Sequence, residues 1–164
     1  MTSPLTQTGK IVTPNEIAEA TRGLMRPLVF TNGVFDIMHR GHVTYLAQAK
    51  LLGTSLVVAL NSDQSVRNLD KGKERPINPL DDRMAVVAAL GSVDLVTFFE
   101  DDNPLRLIEK LKPDFLVKGG DWAAKDIIGS AQVDSWGGVT VSIPFEFNRS
   151  TTNLIERIQR MRQE

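Results

Sequence analysis

The chain has no cysteine among its 164 residues. This excludes disulfides, thiolate nucleophiles and Cys-ligated zinc or iron–sulfur sites, and it fits a reducing cytoplasm. An excess of charge of either sign is also missing. Its 19 Lys and Arg face 20 Asp and Glu, for a formal net charge of −1, so bulk electrostatics point to neither nucleic acid nor a membrane surface. Long apolar runs are absent too. A run such as Leu56–Leu60 falls far short of the ~20 residues that span a bilayer. The polar stretch Met1–Lys10 has no apolar signal-peptide core. Histidine is scarce, with only two in the whole chain, which makes their placement informative.

What is present suffices for one buried core: 41% of the residues are hydrophobic, so neither a disulfide nor a structural metal is needed. The sequence shows no repeat, no low-complexity tract and no second domain. Residues 1–12 are expected to form a flexible tail and 13–164 a single domain. Thr13-Pro14-Asn15-Glu16 carries a helix-start signature, for a helix running to about Leu24. Strands are predicted at Leu28–Thr31, Ser55–Leu60, Val93–Phe99, Asp114–Lys118 and Val139–Ile143. Helices are predicted at Gly41–Leu52, Asp63–Leu69, Leu80–Leu90, Pro104–Leu111 and Ser150 to about Arg162. Residues 70–79 read as a polar loop, and 119–138 as less regular, with one or two short helices. The last helix carries an apolar stripe of Leu154, Ile155, Ile158 and Met161. Strands alternating with helices imply an α/β fold: a single Rossmann-like, doubly wound, parallel five-stranded sheet with helices on both faces. In such sheets ligands bind beyond the carboxyl ends of the strands, where strand order reverses. The chemically distinctive residues of this chain fall just after strands.

The most informative segment is Thr31-Asn32-Gly33-Val34-Phe35-Asp36-Ile37-Met38-His39-Arg40-Gly41-His42. It follows the first strand, leads into a helix and contains both histidines. Imidazoles donate hydrogen bonds to phosphate oxygens and, when protonated, add positive charge where a transition state gains negative charge. The helix N-terminus adds unpaired N–H groups and the positive end of the dipole. Gly33 and Gly41 allow backbone to approach a ligand. Taken singly, a histidine near a helix start is usually a surface or capping residue. Two histidines make half a metal site at most, and no third ligand is spaced to join them, so no metal-binding residues are assigned. The segment is neither a P-loop nor a G-x-G-x-x-G turn.

Gly33-x-Phe35-Asp36-x-x-His39-x-Gly41-His42 resembles the H-x-G-H motif of the cytidylyltransferase-like nucleotidyltransferases, within the larger HIGH-motif superfamily. Further similarity runs from about Glu16 to Gln159: Asn61-Ser62-Asp63 after the second strand, Lys71 to Asn78 ahead of Arg83, Val117 to Trp122 after the fourth strand, and Ser150-Thr151-Thr152 opening the last helix. Within the family the combination is most similar to members that transfer AMP to a heptose 1-phosphate for ADP-heptose and lipopolysaccharide synthesis. Those domains form half of bifunctional heptose enzymes, and here the domain is expected to stand without the sugar-kinase half. Relatives that transfer cytidylyl to glycerol 3-phosphate are the alternative, and a non-catalytic nucleotide-binding module is a third.

The resemblance implies ATP and a sugar phosphate as substrates, Mg2+ accompanying ATP, and a homodimer, with no nucleic-acid or membrane partner. It implies that His39 and His42 stabilise the pentavalent phosphorus. Lys71 is expected to bridge the reacting phosphates, with Lys73 the runner-up and a merely solvated loop the plain alternative. Nucleotide contacts are expected from Thr31, Asn32, Gly33, Phe35, His39, Gly41, His42, Gly120, Ser150, Thr151 and Thr152. Ser and Thr at that helix start are also routine caps. Arg83 has two readings, reaching a phosphate or pairing with Asp82 or Glu100. Arg149 departs from the small or apolar residue common among relatives. Acceptor contacts are expected from Asp36, Asn61, Asp63, Lys71, Lys118, Asp121 and Trp122, where carboxylates would take sugar hydroxyls and Trp122 would stack on a ring. A Trp partly buried at a domain edge or dimer interface is the plain alternative there.

Overall fold

The computed structural model describes residues 9–69, 74–147 and 151–161. Among them lie strands β1 (Leu28–Gly33), β2 (Ser55–Asn61), β3 (Leu95–Phe99), β4 (Phe115–Gly119) and β5 (Val139–Ile143). The helices are α1 (Ile17–Arg22), α2 (Arg40–Lys50), α3 (Asp63–Arg67), α4 (Leu80–Ala88), α5 (Leu105–Leu111), α6 (Ser130–Ser135) and α7 (Thr151–Met161), with a 3-10 turn at Ala124–Asp126. The strands form one parallel sheet in the order β3-β2-β1-β4-β5, as the alternating pattern predicts.

β2 shows why the sheet needs cover on both sides. All seven of its residues are buried. Leu56, Val58 and Leu60 join one core with Tyr45 and Leu46 of α2 and Met84 and Val87 of α4. Val57 and Ala59 point the other way, into a core with Ile17 of α1, Leu107 and Ile108 of α5, and Val133 of α6. The period of two in side-chain direction divides one apolar run between two layers.

Chain order runs from β1 outward through β2 to β3, then returns to β4 on the far side of β1. The β1–β2 ladder extends from Leu28–Ser55 to Gly33–Leu60. The β1–β4 ladder ends at Thr31–Val117, so a cleft opens between the ends of these strands, at the switch point. Beneath it the buried Tyr45 hydroxyl lies 2.5 Å from Thr31 Oγ1 and donates to the Val117 carbonyl at 3.3 Å. Burial pushes the Tyr45 phenol well above the usual tyrosine range.

Several boundaries differ from the sequence reading. Lys10–Val12, expected in the tail, lie along the edge of β3. Val12 N donates to the Val96 carbonyl at 3.0 Å, and Val96 N to the Lys10 carbonyl at 2.8 Å. An edge strand's unpaired N–H and C=O groups recruit whatever extended chain reaches them. At the first helix, Thr13 N and Oγ1 both donate to Glu16 Oε2, which holds that carboxyl below its usual pKa. The helix itself begins only at Ile17. β1 runs two residues past Thr31, paired to β2. The stripe on α7 is present but faces outward: Leu154, Ile158 and Met161 are 38%, 48% and 68% exposed. No helix among the described residues is long and apolar enough to cross a membrane.

Candidate active site

The turn from β1 into α2 is held under strain. Phe35 adopts a left-handed backbone, φ +48°, which costs a non-glycine residue roughly 1–3 kcal/mol. The surroundings hold it there. Its ring is 5% exposed and meets the His42 ring edge-on, with centroids 5.4 Å apart. Asp36, 3% exposed, accepts from Arg75 Nε at 2.6 Å, Ile77 N at 2.9 Å and Asn78 N at 2.8 Å. Asn78 Nδ2 returns a bond to the Asp36 carbonyl at 2.6 Å. The turn and the latter part of the polar loop, residues 75–78, are therefore locked together.

His39 stands at the N-cap of α2 in extended backbone, and its carbonyl accepts from His42 N at 3.0 Å. The two imidazoles stack, with centroids 3.9 Å apart. The glycine between them has a geometric reason: a Cβ on Gly41 would lie 3.0 Å from two atoms of the His39 ring. Burial, and then the like charge of His39, lower the His42 pKa from 6.5 to about 4. Among the described residues nothing hydrogen-bonds His42 Nδ1. With the pKa of His42 held low, the stacked pair at the positive end of a helix is suited to take up a proton there when a polyanion arrives.

Other chain ends converge here. Thr151 Oγ1, at the start of α7, donates to the Ile37 carbonyl at 3.1 Å. The Arg40 guanidinium lies 3.9 Å from the centroid of the Phe147 ring, and Phe145 meets Tyr45 edge-on at 5.8 Å. A cavity of about 390 Å³ adjoins the turn through Asn32, Gly33 and Val34, with Asn61 and Lys118 also in its wall. Trp122 is 53% exposed. It borders this cavity and donates its indole N–H to the Gly119 carbonyl at 3.1 Å. Gly120, at φ +114°, leaves room for that indole: a Cβ there would lie 2.9 Å from Trp122 Nε1.

Apart from Asp121 and Thr152, the expected site residues fall into three groups. Asn32, Gly33, His39, Gly41, His42, Asn61, Lys118, Gly120, Trp122 and Thr151 border the cleft or pack against its turn. A second group is engaged inside the protein. Thr31 turns its hydroxyl to Tyr45, Phe35 lies in the core, and Asp36 anchors residues 75–78. Arg83, 1% exposed, donates to the Asn78 carbonyl at 3.0 Å, the Val34 carbonyl at 2.7 Å and Asp63 Oδ1 at 2.7 Å. Its partner is Asp63, not Asp82 or Glu100, and a guanidinium so enclosed supports the turn from below. Asp121 and Thr152 are exposed. The third group, Lys71, Lys73, Arg149 and Ser150, lies outside the described residues.

The sequence reading missed Tyr45, Asp102, Asn103 and Asp126. Tyr45 is the chain's single tyrosine and sits one turn after His42, which was a usable signal. Asp102 and Asn103 follow the third strand, where the rule that ligands gather at strand ends could have found them.

A cleft at the switch point of a doubly wound sheet, with stacked imidazoles on a helix N-terminus beside it, defines an α/β domain built to hold a phosphorylated ligand. The Cytidylyltransferase-like family profile matches residues 30–157. The chain belongs to that family. It is 56% identical over 152 residues to the D-beta-D-heptose 1-phosphate adenylyltransferase of Bordetella bronchiseptica, covering 92% of this chain and 94% of that protein. It is also 56% identical over 133 residues to the bifunctional protein HldE of Hahella chejuensis, covering 81% of this chain but 28% of that longer protein. Among solved structures, the lipopolysaccharide core biosynthesis protein of Thermoplasma volcanium aligns with a TM-score of 0.61 and 27% identity, covering 77% of this chain and 100% of that one.

Proposed function

We propose that this chain transfers AMP from ATP to D-glycero-β-D-manno-heptose 1-phosphate, releasing pyrophosphate and forming ADP-heptose for the lipopolysaccharide core. The observation that carries this reading is the stacked His39–His42 pair on the α2 N-terminus at the switch point. The near full-length likeness to a heptose 1-phosphate adenylyltransferase supports the choice of substrates.

In the proposed reaction an oxygen of the sugar phosphate attacks the α-phosphorus of ATP in line. The new bond is O–Pα, and the bond from Pα to the bridging oxygen breaks as pyrophosphate leaves. The attacking monoester is already ionised, so no strong base is required, and catalysis reduces to positioning and charge neutralisation. His39 and His42 supply donors to the triphosphate, with Gly41 and the first turn of α2 beside them. Thr151 and Thr152 at the start of α7, with Ser150 before them in the sequence, are assigned to the same phosphates. Lys71 is assigned as the cation bridging the two substrates, and Lys118 to the acceptor phosphate. Asp36, Asp63 and Arg83 act as positioning residues, since each is bonded within the protein.

Among the described residues no group of three His, Cys, Asp or Glu side chains lies together to hold a metal. Mg2+ is taken to enter with ATP, since it is held mainly by phosphate oxygens and water. The enzyme is placed in the cytoplasm, where ATP is available, and as a homodimer, for which the outward stripe on α7 offers an apolar surface; light scattering tests the latter.

The deciding experiment is pyrophosphate release with ATP, CTP and GTP, each offered heptose 1-phosphate and glycerol 3-phosphate with Mg2+. Turnover confined to ATP with the heptose is the expected result. Turnover with CTP and glycerol 3-phosphate would replace the substrates and keep the chemistry. No turnover by folded, nucleotide-binding protein would remove the enzymatic reading.

A further inference from the structure

Resting on that reading, we infer that the 390 Å³ cavity seats the sugar of the acceptor, with Asp102, Asp126 and Trp122 as its specificity-determining residues. The two substrates then occupy opposite faces of the sheet. The histidines belong to α2, which packs with Tyr45 and Leu46 on one face. The cavity instead reaches Ile127 and Phe99, which belong to the core on the other face. Asn32–Val34 are common to the cavity wall and to the turn that ends at His39, so a ligand in the cavity meets the triphosphate at that wall. The phosphate of the acceptor therefore lies toward Asn32–Val34, and the sugar ring toward the more exposed side of the cavity, where Trp122, Asp102 and Asp126 stand.

The lining has the chemistry of a polyol site. Trp122, Ile127 and Ile128 present apolar surface to the C–H face of a ring, while Asp102 and Asp126 present carboxylates that accept hydrogen bonds from hydroxyls. Asp102 makes one long in-chain contact, from Asn68 Nδ2 at 3.4 Å. An adenosine would offer an exocyclic amine and its two ribose hydroxyls, a shorter row of donors than the hydroxyls of a heptose. The volume lies within the ~300–1,000 Å³ usual for small-ligand pockets; a three-carbon polyol phosphate would leave much of it empty.

The test uses intrinsic fluorescence. Of the two tryptophans, Trp136 is removed by Trp136→Phe, leaving Trp122 as the reporter. Heptose 1-phosphate is titrated into this protein with a non-cleavable α,β-methylene analogue of ATP present. Saturable change in Trp122 emission is expected, and Asp102→Asn and Asp126→Asn should each weaken it about tenfold, as for a hydrogen bond to a charged group. The KM for ATP in those two variants should stay within about twofold of the parent. Unchanged acceptor affinity in both, or a rise confined to the KM for ATP, would overturn the assignment. A wrong choice of substrate shows differently: the parent protein itself would neither bind nor turn over heptose 1-phosphate. The variants are then read with whichever polyol phosphate is turned over, under the same criteria. Absence of any polyol phosphate binding sinks both readings.

Discussion

His42 sits in a conflict that its surroundings create. Burial and the neighbouring His39 hold its pKa down from 6.5 to about 4, yet the role proposed for it beside a triphosphate calls for positive charge. An arriving polyanion favours the protonated form, so nucleotide binding near neutral pH should take up a proton. In the free protein the folded-state pKa lies below the unfolded one. Between about 6.5 and about 4 the unfolded chain therefore binds the additional proton, and stability falls as the pH is lowered through that window. The thermal midpoint of His42→Ala should be less sensitive to acid over this range than that of the parent, as melting curves from pH 7 to pH 4 would reveal. The same variant should lose roughly 10²–10³-fold in turnover at pH 7.5 while remaining folded; near-parental turnover would remove His42 from the chemistry.

At the scale of elements, two features of the β1–α2 turn make opposite predictions. Gly41 lies in the first turn of α2, where alanine is the better helix former by up to ~1 kcal/mol. Its added Cβ, however, would meet the His39 ring at 3.0 Å. Gly41→Ala should thus keep or raise the urea midpoint and lower turnover by at least tenfold. A parental rate would show that the ring's seat against the helix does not matter. Arg83→Ala should act the other way round. It strands Asp63 and the Val34 and Asn78 carbonyls, a loss of about 3 kcal/mol for a broken buried pair, read as a drop in the unfolding midpoint. Both features were partly legible in the sequence. The H-x-G-H spacing was visible, and so was Arg83. The partner of the buried Arg83 was not, because Asp63 lies twenty residues away on another element, and only the fold brings them together. Asp36 is similar: a carboxylate after a strand reads as a ligand contact, until Ile77 and Asn78 present their amides to it.

For the whole molecule, the parallel sheet and the succession of strands along the chain, though not their order in the sheet, followed from period and punctuation: an apolar β2 without alternation, helices closed near glycines, odd residues clustered after strands. The edges were less legible. Ile11 and Val12 are β-branched, but the run is too short to be read as a strand without the bare edge of β3 that it pairs with. The apolar stripe of α7 is plain in sequence, but periodicity reports an amphipathic helix without saying what covers it. The cavity behind Asn32–Val34 was least visible of all. It is assembled from loops following four strands, and Asp102 and Asp126 acquire meaning only as neighbours across it.

The early end of the β1–β4 ladder has a consequence for slow breathing of the molecule. Past Thr31 and Val117 the two strands are no longer paired with each other, and the Tyr45 hydroxyl, bonded to both, acts as the last stitch before the gap. Deuterium should therefore enter the amides flanking this fissure sooner than those of β2, and Tyr45→Phe should let the exchange creep inward along β1 and β4. Substrate held across the gap should slow it again. A hydrogen-exchange map of the free and nucleotide-bound protein would then trace the site as a seam that ligand closes, with β2 as the unmoving reference on one side.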